Sequence, residues 1–164
     1  MNSVRKEALT GLEVRMSRKE LYYMSLAQMA SYQSKDPTTK VGSCIVKDGK
    51  VLSLGWNGPP RSIDDSLVPF ECRDITKPLK EQKYPYIVHA EMNAVLNYGG
   101  SLSDLVDSTL YVTVSPCHDC AKMLSQLKIK EVVYIEEYQR KEMWDMSKYM
   151  FDCCGVKYRK LEIE

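Results

Sequence analysis

His89 and Glu91 stand either side of Ala90, and further along the chain Pro116 is followed by Cys117-His118-Asp119-Cys120. One imidazole and two thiolates can hold a zinc ion and leave its fourth position open to water. Zinc brings the pKa of bound water near neutrality, so such a site supplies a nucleophile. Glu91 is not needed as a ligand and is free to move protons. Cysteine binds metal as the thiolate, a minor form at neutral pH. Cys117 and Cys120 fall in the first turn of a predicted helix, where unpaired N–H groups and the helix dipole favour negative charge. Pro116 costs no hydrogen bond at a helix start. The i, i+3 spacing sets both sulfurs on one side of that turn. His89 opens a second helix and supplies the third ligand.

A C-x-x-C pair also occurs in redox sites and in structural zinc knuckles. A closed structural site needs four good ligands. Cys44 and Cys72 are too far apart to form a second C-x-x-C, and Cys153-Cys154 is an adjacent pair poorly suited to one ion. The redox reading gives His89, Glu91 and Pro116 no role. H-x-E followed by P-C-x-x-C is instead the arrangement of zinc nucleobase deaminases.

The elements that must position these residues follow from the pattern. Ser17 and Glu20 form a capping box. Tyr22, Leu26, Met29 and Ala30 then recur at helical spacing, which predicts an amphipathic helix over Ser17 to Gln33. Val41 to Val46 and Val51 to Gly55 read as strands joined at Asp48-Gly49. Asn57-Gly58-Pro59-Pro60 cannot continue the second strand, and residues 56–85 form a long loop region of the kind that is usually functional. His89 to Asn97 and Pro116 to Leu127 read as helices, the first stopped by Gly99-Gly100. Lys141 to Cys154 is a third, with Gly155 at its C′ position. Thr109 to Val114, Glu131 to Ile135 and Val156 to Leu161 complete the strands. Strand–helix–strand succession implies parallel pairing in the second half. The expected class is α/β, a three-layer α/β/α domain with a mixed sheet of about five strands.

A chain of 164 residues suits one domain over 1–164, with residues 1–16 as a polar leader. Its 23 basic and 22 acidic residues give a net charge of +1, without the clustered excess that marks a nucleic-acid footprint. No run is long enough to span a bilayer. Met1 to Arg18 carries no apolar core of a secretory signal. Cysteines kept as thiols in a reducing cytoplasm are expected. The composition favours a small-molecule substrate, with no nucleic acid or membrane as partner.

His89-Ala90-Glu91-Met92-Asn93-Ala94, with Thr113 to Lys122, resembles the cytidine deaminase superfamily. Ser34-Lys35-Asp36-Pro37, Gly55-Trp56-Asn57-Gly58-Pro59-Pro60 and Lys83-Tyr84-Pro85-Tyr86 narrow the resemblance to the deoxycytidylate (dCMP) deaminases. The resemblance implies a cytidine-deaminase-like fold with one catalytic zinc, and hydrolysis of dCMP to dUMP and ammonia, supplying dUMP for thymidylate synthesis. It implies that Glu91 protonates N3 of cytosine and carries a proton to the leaving ammonia. It also implies that the Ala90 N–H meets the ring carbonyl, that the Ser115 C=O meets the amino group, and that Asn57 holds the sugar. A homo-oligomer, a hexamer, activated by dCTP with magnesium and inhibited by dTTP, belongs to the same implication.

Other residues are assigned by their position in the chain. Tyr138 follows a strand end where parallel sheets place their sites; it either stacks on the pyrimidine or reaches the phosphate, or it belongs to the core. Lys35 and Lys40 precede the first strand and are candidates for the 5′-phosphate. Asp36, Asn57, Gly58, Asp64 and Asp65 lie in turn-rich segments suited to a regulatory site. His118 is expected to face solvent or support a ligand. Met24, Met29 and Met123 read as core or subunit-contact residues, and Cys44 and Cys153 as buried small groups. Cys72 and Cys154 have no assigned role. Two rivals remain: a tRNA adenosine deaminase, disfavoured by the near-neutral charge, and a non-catalytic nucleotide sensor, in which Glu91 would be idle.

Overall fold

The structure is a computed structural model in which residues 16–162 are described. The polar leader therefore lies outside the described residues except for Met16. Ser17 opens helix α1 (Arg18–Ser31) with a complete capping box. The Glu20 N–H donates to Ser17 Oγ at 3.2 Å and the Ser17 N–H to Glu20 Oε2 at 2.8 Å. Strands β1 (Gly42–Lys47) and β2 (Lys50–Trp56) form the expected hairpin. Asp48 and Gly49 turn it with φ of 51° and 75°, the twist-matched turn of tight hairpins. There follow α2 (Ala90–Asn97), β3 (Thr109–Val114), α3 (His118–Gln126), β4 (Glu131–Glu136), α4 (Lys141–Cys154) and β5 (Lys157–Lys160). Gly155 ends α4 in the left-handed conformation, φ 73°. The region over 56–85 contains three short 3-10 turns, at Asp65–Leu67, Leu79–Glu81 and Tyr84–Tyr86.

The five strands lie in the order β2-β1-β3-β4-β5. β1 pairs antiparallel with both β2 and β3, while β3, β4 and β5 run parallel. Side chains alternate between the faces, as the pleat requires. Ile45, Leu110, Val112, Val132 and Tyr134 pack with α2, α3 and α4. Cys44, Val46, Tyr111 and Val133 face α1 through Tyr23, Met24 and Ala27. The result is the three-layer α/β/α arrangement with a mixed five-stranded sheet.

Two glycines set how closely the helices approach. A Cβ on Gly42 would lie 1.8 Å from the Ala27 carbonyl oxygen in α1. One on Gly55 would lie 2.2 Å from the Ala90 carbonyl oxygen and 2.3 Å from the Ala94 nitrogen in α2. The absence of a side chain lets each helix backbone rest directly on the hairpin.

Two assignments of burial are corrected. The stripe read through Tyr22 and Met29 is not the buried face of α1, since these side chains are 56% and 63% exposed. Ala30 of that stripe is buried, as is Met24, and the buried face runs through them with Tyr23 and Ala27. α1 is apolar around much of its circumference, so its spacing does not single out one face. Close approach at Gly42 selects the side bearing the small Ala27. Cys153, expected inside, is exposed, whereas Cys44 is fully buried. The Trp144 and Phe151 side chains occupy the sheet-facing side of α4 and leave Cys153 outside.

Candidate active site

The N-termini of α2 and α3 converge beside the carboxyl end of β3. His89 is the N-cap of α2 and Cys117 the N-cap of α3, and neither side chain caps its own helix. Both are thereby free to turn toward each other. His89 Nδ1 lies 3.4 Å from Cys117 Sγ and 3.4 Å from Cys120 Sγ. Tetrahedral zinc with ordinary Zn–N and Zn–S bonds places such atoms about 3.5 Å apart. The donor set therefore fits zinc in kind and in spacing. Among the described residues it is the only group of three or more potential ligands brought together. His118 stays out of it; its Nε2 lies 3.8 Å from Asp119 Oδ1, and its ring is about one-third exposed.

Hydrogen bonds hold this geometry. Ser43 Oγ on β1 donates to the Ala90 carbonyl at 2.8 Å, and Ser53 Oγ on β2 donates to that of Ala94 at 2.6 Å. The side-chain amides of Asn93 and Asn97 donate to the Trp56 and Leu54 carbonyls. α2 is thus pinned to the hairpin from both sides. Ser147 Oγ on α4 donates to the Pro116 carbonyl at 2.9 Å and steadies the lead into the cysteines. Ser115 is buried; its N–H donates to the Glu136 carbonyl, and its Oγ accepts from the Tyr138 N–H at 2.8 Å.

The charges match the donor set. Without metal, the hydrogen bond to Cys117 raises the His89 pKa to about 9 against the opposing effect of burial. The hydrogen bond from Cys120, aided by His89, outweighs burial and lowers Cys117 to about 4. Sharing its proton with that thiolate, together with burial, pushes Cys120 up. Glu91 is 3% exposed, and burial pushes its carboxyl above the ordinary range.

A cavity of about 90 Å³ opens over the cluster, lined by His89, Ala90, Glu91, Asn57, Ser115 and Tyr138. Ala90 lies in the first turn of α2, where backbone N–H groups have no intrahelical partner. Asn57 is buried and braces two loops: its Oδ1 accepts from the Val41 N–H and its Nδ2 donates to the Thr39 carbonyl. One lone pair and one N–H of that amide are left for a ligand. Tyr138 is half-buried, and burial pushes its phenol up to about 12, so it remains protonated at neutral pH.

The remaining candidates divide. Asp36 lines the same cavity, paired with Lys83. Lys35 pairs with Asp65 at 2.6 Å beside a second cavity of about 600 Å³, which Gly58 also lines and which shares Asn57 with the first. Lys40 donates to the Ser34 carbonyl and lines neither cavity. Asp64 accepts from the Ser66 N–H and caps a short helical turn. Sequence reasoning missed Lys83 and Tyr84 as lining residues. The signal was present in the Lys83-Tyr84-Pro85-Tyr86 lead-in to His89, but nothing local ties that lysine to Asp36.

Residues 17–136 match the family described as the cytidine and deoxycytidylate deaminase zinc-binding region. The chain belongs to that family of zinc-dependent hydrolases. Its relatives place it with the deoxycytidylate deaminases. The deoxycytidylate deaminase of Mus musculus is 36% identical over 141 residues, covering 85% of this chain and 77% of that protein. The deoxycytidylate deaminase of Homo sapiens is 35% identical over the same length and coverage. The crystal structure of the dCMP deaminase of cyanophage S-TIM5, in complex with dCMP and dUMP, matches with a TM-score of 0.68 and 30% identity. That match covers 87% of this chain and 96% of the other.

Proposed function

We propose that the protein hydrolyses dCMP to dUMP and ammonia in the cavity over His89, Cys117 and Cys120. The observation that carries this reading is the cluster itself: one Nδ1 and two Sγ atoms at zinc spacing, with a buried carboxyl beside them. Zinc held there supplies an activated water as the nucleophile for C4. Glu91 carries protons from that water to N3 and then to the departing ammonia. A carboxyl whose pKa is raised by burial both accepts and releases a proton near neutral pH more readily than an exposed one. The Ala90 N–H holds the ring carbonyl, the Ser115 carbonyl takes the amino group, Asn57 holds the sugar and Tyr138 covers the ring.

The regulatory reading is part of the same proposal. dCTP with magnesium activates and dTTP inhibits through the second cavity, in a hexamer. The support is a separate space lined by Lys35, Gly58, Arg61 and Asp65 that shares Asn57 with the ring pocket. A cytoplasmic location, with dUMP passing to thymidylate synthesis, completes the proposal. Among the described residues no helix is long and apolar enough to cross a membrane.

One panel tests the substrate. Cytidine, dCMP, dCTP and a tRNA anticodon stem are offered separately and ammonia release is measured. dCMP is turned over with strong preference. Equal rates on nucleoside and monophosphate refute the assignment, and release from the anticodon stem alone transfers the site to RNA.

A further inference from the structure

Asn57 lines the cavity over the metal cluster with its amide already held on two sides. Its Oδ1 accepts from the Val41 N–H at 2.9 Å and its Nδ2 donates to the Thr39 carbonyl at 2.8 Å. Both partners belong to the segment between α1 and β1, so the aim of Asn57 is only as fixed as that segment. Pro37, Thr38 and Lys40 are exposed there, and packing does little to hold them. A buried carboxylate does so instead. Asp36 Oδ1 accepts from the N–H groups of Thr38 and Thr39 at 2.9 and 3.0 Å. Asp36 Oδ2 lies 2.7 Å from Lys83 Nζ, which also donates to Thr38 Oγ1 at 3.0 Å. The Lys83 N–H donates to the Cys72 carbonyl at 2.9 Å, which anchors the lysine backbone within the long loop region.

We propose that Lys83 is a positioning residue for Asn57: through Asp36 it sets the segment that aims the Asn57 amide at the substrate. The inference rests on the reading of Asn57 as the sugar contact. Three observations carry it. The chain of polar contacts runs unbroken from the ammonium through Asp36 and Thr39 to the Asn57 amide, with no link longer than 3.0 Å. An ion pair buried this deeply gains little stability over apolar side chains of the same shape. Folding alone therefore gives no reason for charge at this place, whereas hydrogen-bonded charges fix direction. An ammonium has three donors, and Lys83 directs two of them to Asp36 and Thr38 from a side chain that is 4% exposed. Its bonding is thus turned to the segment that holds Asn57 rather than to the cavity.

The test is a double-mutant cycle between the ion pair and Asn57, run on zinc-loaded protein with dCMP. Asn57→Ala raises KM about tenfold, as loss of one or two hydrogen bonds predicts. The pair variant Asp36→Asn, Lys83→Met strands no charge; it raises KM by a smaller factor and shifts KM more than kcat. Added to Asn57→Ala, it raises KM no further than Asn57→Ala alone. Thr38→Val removes the hydroxyl between Lys83 and Asp36 from an exposed residue. It gives a small rise that likewise vanishes in the Asn57→Ala background. Calorimetry of dCMP binding to the same variants carrying Glu91→Gln, where turnover is suppressed, follows the same order. Zinc content and urea midpoints identify a pair variant that misfolds, and Thr38→Val then carries the cycle. Factors that multiply in the combined variant show that Lys83 acts other than through Asn57, and they overturn this inference alone. A wild-type KM in the folded pair variant does the same. A wild-type KM in Asn57→Ala overturns the reading of Asn57 and this inference with it.

Discussion

Asp36 and Lys83 form an ion pair at 2.7 Å with side chains 1% and 4% exposed, in the wall of the pocket above the metal cluster. The remaining carboxylate oxygen of Asp36 accepts from the N–H groups of Thr38 and Thr39, and Lys83 also donates to Thr38 Oγ1 at 3.0 Å. The pair joins the loop before β1 to the loop before α2. A buried ion pair gains little over an apolar pair of similar shape, but removing one partner strands a charge.

Lys83→Met should therefore lower the unfolding free energy by about 3–5 kcal/mol, read as a reduced urea midpoint. The double variant Asp36→Asn, Lys83→Met should recover part of the loss. Burial acts to raise the Asp36 pKa, but the bonds from Lys83, Thr38 and Thr39 prevail and hold it below its usual 3.8. A carboxyl depressed in the folded state adds stability above its unfolded pKa and loses it as pH falls through the folded one. Acid should accordingly destabilise the wild type below about pH 4, and Asp36→Asn should flatten that slope. A wild-type urea midpoint in Lys83→Met would remove the pair from the stability account.

Zinc loading of the metal-free protein at pH 7 should release about two protons per ion. At that pH His89, raised to about 9, is protonated. Cys117, lowered to about 4, is already a thiolate, and Cys120 keeps its proton. Metal binding requires neutral imidazole and two thiolates, so one proton leaves His89 and one leaves Cys120. Above about pH 9 the His89 proton is already gone, and release should fall toward one. Calorimetry in buffers of different ionisation enthalpy counts these protons; zero release at pH 7 contradicts the assignment.

Glu91→Gln keeps the side-chain volume and removes the proton carrier. Turnover should drop about 10²- to 10⁴-fold, with zinc content at the wild-type level because His89, Cys117 and Cys120 are untouched. Near-normal turnover in zinc-replete Glu91→Gln would exclude Glu91 from the chemistry.

Gly55→Ala reaches the site through the backbone. Its Cβ would overlap the Ala90 carbonyl and the Ala94 nitrogen, so α2 must move off the hairpin and take His89 and Glu91 with it. Overpacking of this kind costs about 1–3 kcal/mol, and here it should also weaken zinc retention. The turn glycine Gly49, with open space around it, provides the contrast: its replacement by alanine strains a positive φ without touching the metal cluster. Full zinc retention in Gly55→Ala, measured after dialysis against a chelator, would show that α2 is not seated by this contact.

The His89, Cys117 and Cys120 candidates that the structure brings together, the capping box, the hairpin at Asp48-Gly49 and the stop at Gly155 were legible in the sequence. Each depends on residues a few positions apart, where backbone geometry alone sets the relation between side chains. The mixed sheet followed from the order of strands and helices, since a parallel pair needs a crossover. Tertiary structure decided the rest. His89 and Cys117 meet only because β1 lies between β2 and β3, which brings the starts of α2 and α3 to one end of the sheet. The buried face of α1 was settled by close approach at Gly42, not by hydrophobic spacing, because apolar residues lie around much of that helix. The pairing of Asp36 with Lys83 and the placing of the Arg140 guanidinium 5.5 Å from the Tyr84 ring centroid join segments far apart in the chain. Such contacts depend on how the layers pack, and neither periodicity nor local propensity carries that information.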